Sequence, residues 1–517
     1  MNVGNKGKRQ AALGGPQSKG VGAASGGGVE GRSKHGGSSS KKQDHKAARP
    51  QKRPGAGIPW KGVWNPTVKG TFGAGRPEDA PKATSPPDPS TELARLKAAQ
   101  SLRSRLHRLC TSSRVKPPVL AFERWLSRSA LQGLSSDPLL PSEICGDHSD
   151  GLVKDLVRAG MLEAEAKKAA EELGRASKEA CERLSGLGDD AREVFCDTRG
   201  GVTRLSLGSA DAKPYMQVNT VHVVKLRELW KRKRATVGGE DDEILFHRHL
   251  YSLLARYEGL SGHGYQAALA EEGFDVLLQG IDAKCEAFAS PLNSRYAQYC
   301  SAFPDVDYPF GSLGSFFDFS PKMGSFEANP PFVPEVMGKA VEHIERLVAG
   351  TKLPMSFCVI VPVWKECSYW SALLASPLSR REPLIIQAES HGFCDGAQHQ
   401  RRREERHRVS SFDTGVFFLQ NDAGAAKWRV DQALVGRLEA AMKRAVGTAK
   451  DVKELEKRYK PNKQAADARG ATEGGGSDCG GAQIAKSRKR KEGVWRGSIV
   501  DKSRPVKKAR GGEKVGC

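Results

Sequence analysis

No stretch of the 517 residues approaches the roughly 18 consecutive apolar residues that a membrane-spanning helix needs. Lys and Arg stand near the N-terminus without an apolar core behind them, which predicts no secretory signal. The 11 cysteines are odd in number and form no CxxC pair, which argues against a zinc site and a disulfide scaffold. That usage fits a reducing compartment, cytosol or nucleus. No GxGxxG follows a predicted strand, so phosphate binding of the dinucleotide kind lacks support. Large apolar side chains are scarce over residues 1–56 and again from about Gly470 to Cys517. Such segments cannot bury enough surface to offset chain entropy. They are expected to be disordered, which leaves a foldable stretch between.

Charge is concentrated in those two arms. Residues 1–56 carry 12 Lys and Arg against 2 acidic residues, and residues 486–514 carry 12 against 3, out of a net charge of +22. The rest of the chain is close to neutral. Basic arms attract polyphosphate by counterion release, without reading sequence; a solubilising or targeting role is the alternative. The clusters Lys486-Ser-Arg-Lys-Arg-Lys491 and Arg504-Pro-Val-Lys-Lys-Ala-Arg510 have the form of a nuclear localisation signal.

Residues 57–117 begin as a Pro/Gly-rich linker and continue as a polar helical piece around Glu92–Leu109. Helical texture dominates from Pro118 to about residue 275. It is interrupted by a hairpin over Val194–Leu207, with further helices at Val221–Lys233 and Asp242–Glu258. After Gly273 strands alternate with helices. Cys285–Ala289, Ser325–Ala328, Ser356–Val363, Leu384–Ile386 and Gly415–Leu419 read as strands, Glu335–Val348 and Gln432–Arg458 as helices. Pro334 is placed to start the first of these helices, where a missing N–H costs nothing. This pattern predicts an α/β doubly wound, largely parallel sheet, whose ligands bind beyond the carboxyl ends of strands.

The sharpest local feature is Asn329-Pro330-Pro331-Phe332, at one such strand end. An exocyclic adenine amine is a poor nucleophile because its lone pair is delocalised into the ring. Acceptors aimed at its two hydrogens turn that lone pair toward an electrophile. The Asn329 side-chain oxygen and the Pro330 carbonyl are suited to this, and Pro330 and Pro331 stiffen the corner while removing two N–H donors. Phe332 can stack on a splayed base. Catalysis beside a sulfonium methyl is then mostly positioning, with S-adenosylmethionine as donor and no metal. A plain structural turn is the competing reading.

Ala289-Ser290-Pro291, at a second strand end, is the candidate for the donor's amino-acid or ribose end. Asp305 or Asp307 can accept from the donor's hydroxyls or ammonium, and Gly311 allows close backbone approach. Trp364 and Lys365 follow the 356–363 strand. They read either as a base-stacking ring with a phosphate contact or as a core Trp with a solvated Lys. His391 and His399 frame a loop that runs into Arg401–Arg406; a substrate contact and ordinary polar surface are the alternatives for His391. The Arg run itself suits RNA phosphates or a solvated face laced with Glu.

Cys285-Glu-Ala-Phe-Ala-Ser-Pro-Leu-Asn293, Gln298-Tyr-Cys-Ser-Ala-Phe-Pro-Asp305 and Gly324-Ser-Phe-Glu-Ala-Asn-Pro-Pro-Phe332 together resemble the phosphorylated-CTD-interacting factor family, the cap-specific adenosine N6-methyltransferases. Phe417-Phe-Leu-Gln-Asn-Asp422 with Ala426-Lys-Trp428, Gly396-Ala-Gln-His399, and Phe122-Glu-Arg-Trp-Leu126 with Asp137-Pro-Leu-Leu-Pro-Ser142 extend the resemblance over about 118–430. It implies a class I (Rossmann-like) S-adenosylmethionine-dependent methyltransferase core with an N-terminal helical domain. The division expected is a disordered basic tail and linker over 1–117, a helical domain over 118–275, a methyltransferase domain over 276–460 and a disordered basic tail over 461–517.

The resemblance also implies a capped mRNA substrate with 2′-O-methyladenosine first. Asn329–Phe332 then bind donor and adenine, Trp364 and Lys365 lie in the substrate groove, and Pro334 stands where the family tends to carry an acidic residue, with Glu335 following. A nuclear location is expected from the basic clusters of 486–510. No WW module is seen, since Trp60 and Trp64 do not make one, which leaves the RNA polymerase II tail an open partner. The same corner would serve an adenine methyltransferase acting on other RNA or DNA. A catalytically silent RNA- or polymerase-binding scaffold is the alternative from a different class.

Overall fold

The computed structural model describes residues 88–446, except 119, 134, 142–145, 189–191, 262–265 and 402–404, together with Trp64, Gly70 and Phe72. The basic clusters after residue 485 and the far end of the expected 432–458 helix lie outside the described residues.

Helix α1 (Pro89–Ser112) opens the helical lobe, capped by Asp88, whose carboxylate accepts the Thr91 N–H at 2.8 Å. It serves two cores. Leu93 and Leu96 join one, while Ala99, Leu102, Leu106 and Cys110 join another with α2 (Ala121–Leu131), α3 (Gly146–Arg158) and α4 (Glu163–Ser185). The expected boundary at 118 therefore moves back to residue 88. The stripe looks polar in sequence because two of these six positions, Ala99 and Cys110, are small and the other faces carry Lys, Arg and Ser. Two aromatic residues of the supposed linker dock as well. The Arg232 guanidinium lies 5.3 Å from the Trp64 ring, and the Phe72 ring packs against Phe326 with centroids 5.1 Å apart.

The expected hairpin is present as β1 (Val194–Arg199) and β2 (Val202–Leu207), with Val194 opposite Leu207, and β3 (Met216–Asn219) extends it to three antiparallel strands. Helices α5 (Thr220–Val237) and α6 (Glu243–Leu260) close this lobe. Helix α7 (Glu271–Ile281) does not belong to it. Phe274, Leu277 and Ile281 are buried in the core of the second lobe, so the division expected at 275/276 would cut a helix.

The second lobe contains β4 (Cys285–Ala289), β5 (Tyr299–Ser301), the short helix α8 (Pro304–Asp307), β6 (Gly324–Ala328), α9 (Pro334–Ala349), β7 (Met355–Pro362), α10 (Ser368–Ala375), β8 (Leu384–Ile386), β9 (Gly392–Cys394), β10 (His407–Val409), β11 (Thr414–Gln420), α11 (Asp422–Lys427) and α12 (Gln432–Arg444). Six strands form a mixed sheet in the order β5-β4-β6-β7-β11-β8. Pairings among β5, β4, β6 and β7 are parallel. β11 runs antiparallel to both β7 and β8, so it alone is reversed.

All eight residues of β7 are buried, as a run of apolar residues without alternation requires of a strand covered on both faces. On one face Phe326 stacks on Phe357, with centroids 4.7 Å apart, and Phe316 carries this layer to His343 of α9. On the other, Tyr296 packs edge-on against Phe274 of α7 and donates its hydroxyl to the Phe274 carbonyl at 2.9 Å.

Candidate functional site

The strand order places a switch point between β4 and β6. From β4 the chain passes to β5 on one side, and later returns as β6 on the other. β4 and β6 are parallel neighbours, with Glu286 level with Glu327. Their carboxyl ends, Ala289-Ser290 and Ala328-Asn329, therefore open side by side. At such a point the outgoing loops diverge and leave a crevice. The two candidate motifs, 40 residues apart in sequence, are brought to one edge by this pairing alone.

Asn329 is 7% exposed. Its Nδ2 donates to the Ala267 carbonyl at 2.8 Å, while Oδ1, equally buried, has no hydrogen-bond partner among the described residues. The carbonyl can only accept, so it fixes which way the amide faces and turns the oxygen away from itself. A buried acceptor left unpaired costs about 1–3 kcal/mol, a cost that a ligand donating an N–H would remove. Ala267 is itself held in place: Ala268 and Cys394 exchange N–H···O bonds of 3.0 and 2.8 Å, tying this segment to β9. Pro330 is buried and Pro331 half-buried. The Pro331 carbonyl accepts from the Val333 N–H at 2.6 Å, which closes the corner just before α9.

Phe332 is buried, and Phe412 and Phe393 meet its ring edge-on at 5.2 and 6.1 Å. Phe412 also meets Trp364, and Phe393 meets His391. One aromatic wall thus joins the ends of β6 and β7 to β9. Trp364 is 2% exposed, so of its two readings the structure shows the core residue, with an indole N–H unpartnered among the described residues. Lys365 beside it is exposed. His391 is fully buried and uses both ring nitrogens, toward the Gln387 carbonyl at 2.9 Å and Thr414 Oγ1 at 2.7 Å. It supports Phe393 and presents no spare nitrogen to a substrate. His399, expected on a loop surface, is also buried, and burial lowers its pKa to about 4, which keeps the ring neutral.

Ser290 is buried, Ala289 half-buried and Pro291 buried. The Ser290 N–H and hydroxyl both donate to Asn293 Oδ1, at 2.7 and 2.9 Å, so Ser290–Asn293 is a self-closed turn. Other expected donor contacts lie elsewhere. Asp305 gives both carboxylate oxygens to Arg256, at 3.0 and 2.7 Å, and belongs to the seam between α6 and α8. Asp307 accepts from the Tyr257 hydroxyl at 2.8 Å and the Phe303 N–H at 3.1 Å, and burial raises its pKa to about 7. Gly311 has φ +97°, where a Cβ would meet only the Ala297 carbonyl at an ordinary 3.6 Å. Its role is the left-handed turn after Tyr308–Phe310, and close backbone approach is not what requires a glycine there. Glu335 is exposed and pairs with Arg128 of α2 at 2.7 Å, joining the lobes next to the corner.

Sequence reasoning missed three participants. The Ala267 carbonyl is a backbone group, and no residue type announces it. Glu286 and Glu327 sit in mid-strand, 2% and 1% exposed; an acid inside a short apolar strand was a signal available to read. Burial raises the Glu286 pKa to about 7 and holds Glu327 well above the carboxylate range. Among the described residues, the ligand atoms of Glu271, Cys394 and His407 lie within 4.8 Å of one another. The Glu271 carboxylate is engaged by Arg406 and His407, which makes this an ion-pair cluster holding the β9–β10 hairpin to the start of α7. Arg401 and Arg408 pair with Asp395, so these arginines are laced with acids.

The chain matches the family model described as the phosphorylated CTD interacting factor 1 WW domain over residues 225–396. That match overturns the expectation that no WW module is present. The matched residues are not the linker tryptophans but the stretch from α5 to the β9 hairpin, which includes both strand ends described above. Over 215 residues the chain is 42% identical to a human protein named mRNA (2′-O-methyladenosine-N(6)-)-methyltransferase and 41% identical to a mouse protein of the same name. Each match covers 40% of this chain and 30% of the relative, so the chain spans less than a third of the length of the curated relatives it matches.

Proposed function

We propose that this chain is a class I methyltransferase that moves a methyl group from S-adenosylmethionine to N6 of the cap-adjacent 2′-O-methyladenosine of mRNA. The observation that carries this reading is the buried Asn329 Oδ1, without a hydrogen-bond partner among the described residues, at the β4–β6 switch point of the sheet where the Ser290 turn also opens. The names of the 42% and 41% identical relatives supply the substrate class.

The donor, when bound, would supply an electrophilic methyl group and leave as S-adenosylhomocysteine, and the amine would give up one of its two hydrogens as a proton to solvent after the N–C bond has formed. The rest falls to this chain's residues. Asn329 Oδ1 and the Pro330 carbonyl accept the two hydrogens of the adenine amine and aim its lone pair outward. Positive charge grows on that nitrogen as the new bond forms, so both hydrogen bonds strengthen toward the transition state, and this difference accelerates the step. The prolines and the Ala267 latch hold the acceptors in place beforehand. Phe332, backed by Phe393 and Phe412, gives the base an apolar wall. The turn Ala289-Ser290-Pro291 holds the donor, and the exposed Lys365 meets RNA phosphate.

The test uses purified protein, labelled S-adenosylmethionine and short RNAs that differ only in cap and first nucleotide. Label on capped, adenosine-initiated RNA alone supports the reading. Cap-independent label moves the assignment to a general adenine methyltransferase, and no label on any RNA removes it. A phosphorylated polymerase-tail peptide is the second partner of this reading, drawn from the matched family model's description. Failure of the full chain to retain that peptide removes this partner.

Asn329→Asp tests the latch. An aspartate would set an oxygen where Nδ2 now meets the Ala267 carbonyl at 2.8 Å, and two acceptors there repel. We expect kcat/KM to fall about a hundredfold or more, the scale of one mispositioned charge-stabilising group. Activity within about threefold of the parent would show that amide orientation does not matter. The nuclear location is likewise a proposal, resting on the basic clusters of 486–514. Deleting those residues is expected to leave a tagged protein outside the nucleus, and unchanged nuclear signal would refute them as its address.

A further inference from the structure

The segment just after the Ser290–Asn293 turn is gripped from two lobes at once. Lys225 of α5 is 3% exposed, and its Nζ donates to the Ser294 carbonyl at 2.7 Å. On the other side Glu286 Oε1 accepts the backbone N–H groups of Arg295 and Tyr296, at 2.7 and 2.8 Å. Three consecutive residues thus have a carbonyl fixed from the helical lobe and two amides fixed from β4. The turn itself is tied into this grip, because the Ser294 N–H donates to the Ser290 carbonyl at 2.9 Å. Chain leaving β4 at Ala289 is therefore constrained at both ends over Ser290–Ser294.

A buried ammonium is a poor choice for packing alone. Desolvation makes it expensive, and an apolar side chain of similar volume is often neutral or better for stability. Burial depresses the Lys225 pKa to about 7, and the Glu286 carboxylate is the group that opposes this shift. What the ammonium provides, and a methionine would not, is a donor directed at one carbonyl. We propose that Lys225 is a positioning residue for the methyl-donor turn, acting through the Ser294 carbonyl and paired with Glu286 across the same three residues. The inference rests on the reading of Ser290–Asn293 as the donor turn. It adds that the helical lobe, through α5, sets the donor site.

The test compares the full-length parent with K225M and with the double variant K225M/E286Q. It reads S-adenosylmethionine affinity by calorimetry, KM for donor and for capped RNA separately, and Tm. K225M is expected to raise Kd and KM for the donor about tenfold or more, with KM for RNA changed less than about twofold. Its Tm is expected to fall, because the buried Glu286 loses one of the two cations, Lys225 and Arg295, whose charge offsets its burial. In the double variant the Glu286 charge is gone, while the glutamine oxygen still accepts both amides. Its Tm is expected to recover and its donor affinity to stay low. An unchanged donor KM in K225M overturns the proposal. So does a double variant in which Tm and donor affinity recover together, since stability alone would then explain the effect. If the parent chain binds no S-adenosylmethionine, the reading of the turn fails first and this inference with it.

Discussion

Asn329→Ala is expected to lower kcat about a thousandfold or more and to leave the fold standing. The fold side of the prediction follows from what the side chain contacts. It makes one hydrogen bond, to the Ala267 carbonyl, and its oxygen has no partner among the described residues. Removing the amide strands the Ala267 carbonyl, at about 1–3 kcal/mol, and abolishes an unpaired buried oxygen of comparable cost. The two nearly cancel, so Tm is expected to move by only a few degrees. On the activity side, the variant loses the acceptor that orients the amine. Removal of one preorganised group that meets developing charge typically costs a hundred- to a thousandfold, and here the same group also sets the direction of attack. Donor affinity, measured by calorimetry, is expected to change little. Loss of turnover together with a collapse of Tm would instead mark Asn329 as structural, and unchanged turnover would remove it from the chemistry.

The second large effect is on stability. Arg256 is 1% exposed and reaches two acids, Glu92 of α1 and Asp305 of α8. Glu92 is 2% exposed, so Arg256→Met strands a carboxylate in the interior. Breaking a buried pair in this way costs about 3–5 kcal/mol. The lower end is expected, because Arg95 also reaches Glu92. Urea unfolding checks the value. Adding Glu92→Gln is expected to return most of the loss, since no buried charge is then left unpaired. A loss below about 1 kcal/mol in the single variant would show that the network does not hold α1 to α6. The released Asp305 is solvent-accessible, with a side chain 54% exposed, and tolerates the change.

These two residues also mark what sequence could and could not say. The second lobe was readable because its signals are local. β4 and β8 fall on the expected residues, and α9 begins at Pro334, where a proline fixes the first turn. β7 announces itself as an unbroken apolar run. The corner at Asn329 was readable because prolines after a strand leave few backbone choices. What failed was non-local. α1 buries Ala99 and Cys110 beside its leucines, so its stripe is thin in large side chains and looks polar. The three-residue strands β5, β9 and β10 are too short to show a period. Asp305 looked available because its partner stands 49 positions earlier, and an ion pair leaves no trace in local pattern. The Ala267 latch is a backbone carbonyl 62 positions from Asn329, visible only once β9 and the start of α7 are in place.

In the proposed reaction the Asn329 oxygen receives the adenine amine. A structure of the full chain with S-adenosylhomocysteine and a capped, adenosine-initiated dinucleotide tests it most directly. N6 of the first adenine is expected at about 3 Å from Asn329 Oδ1, with the Ala267 contact kept and the homocysteine sulfur facing the amine from the Ser290 side. An adenine bound away from the β4–β6 crevice, or an Asn329 amide turned with its nitrogen toward the base, would contradict it.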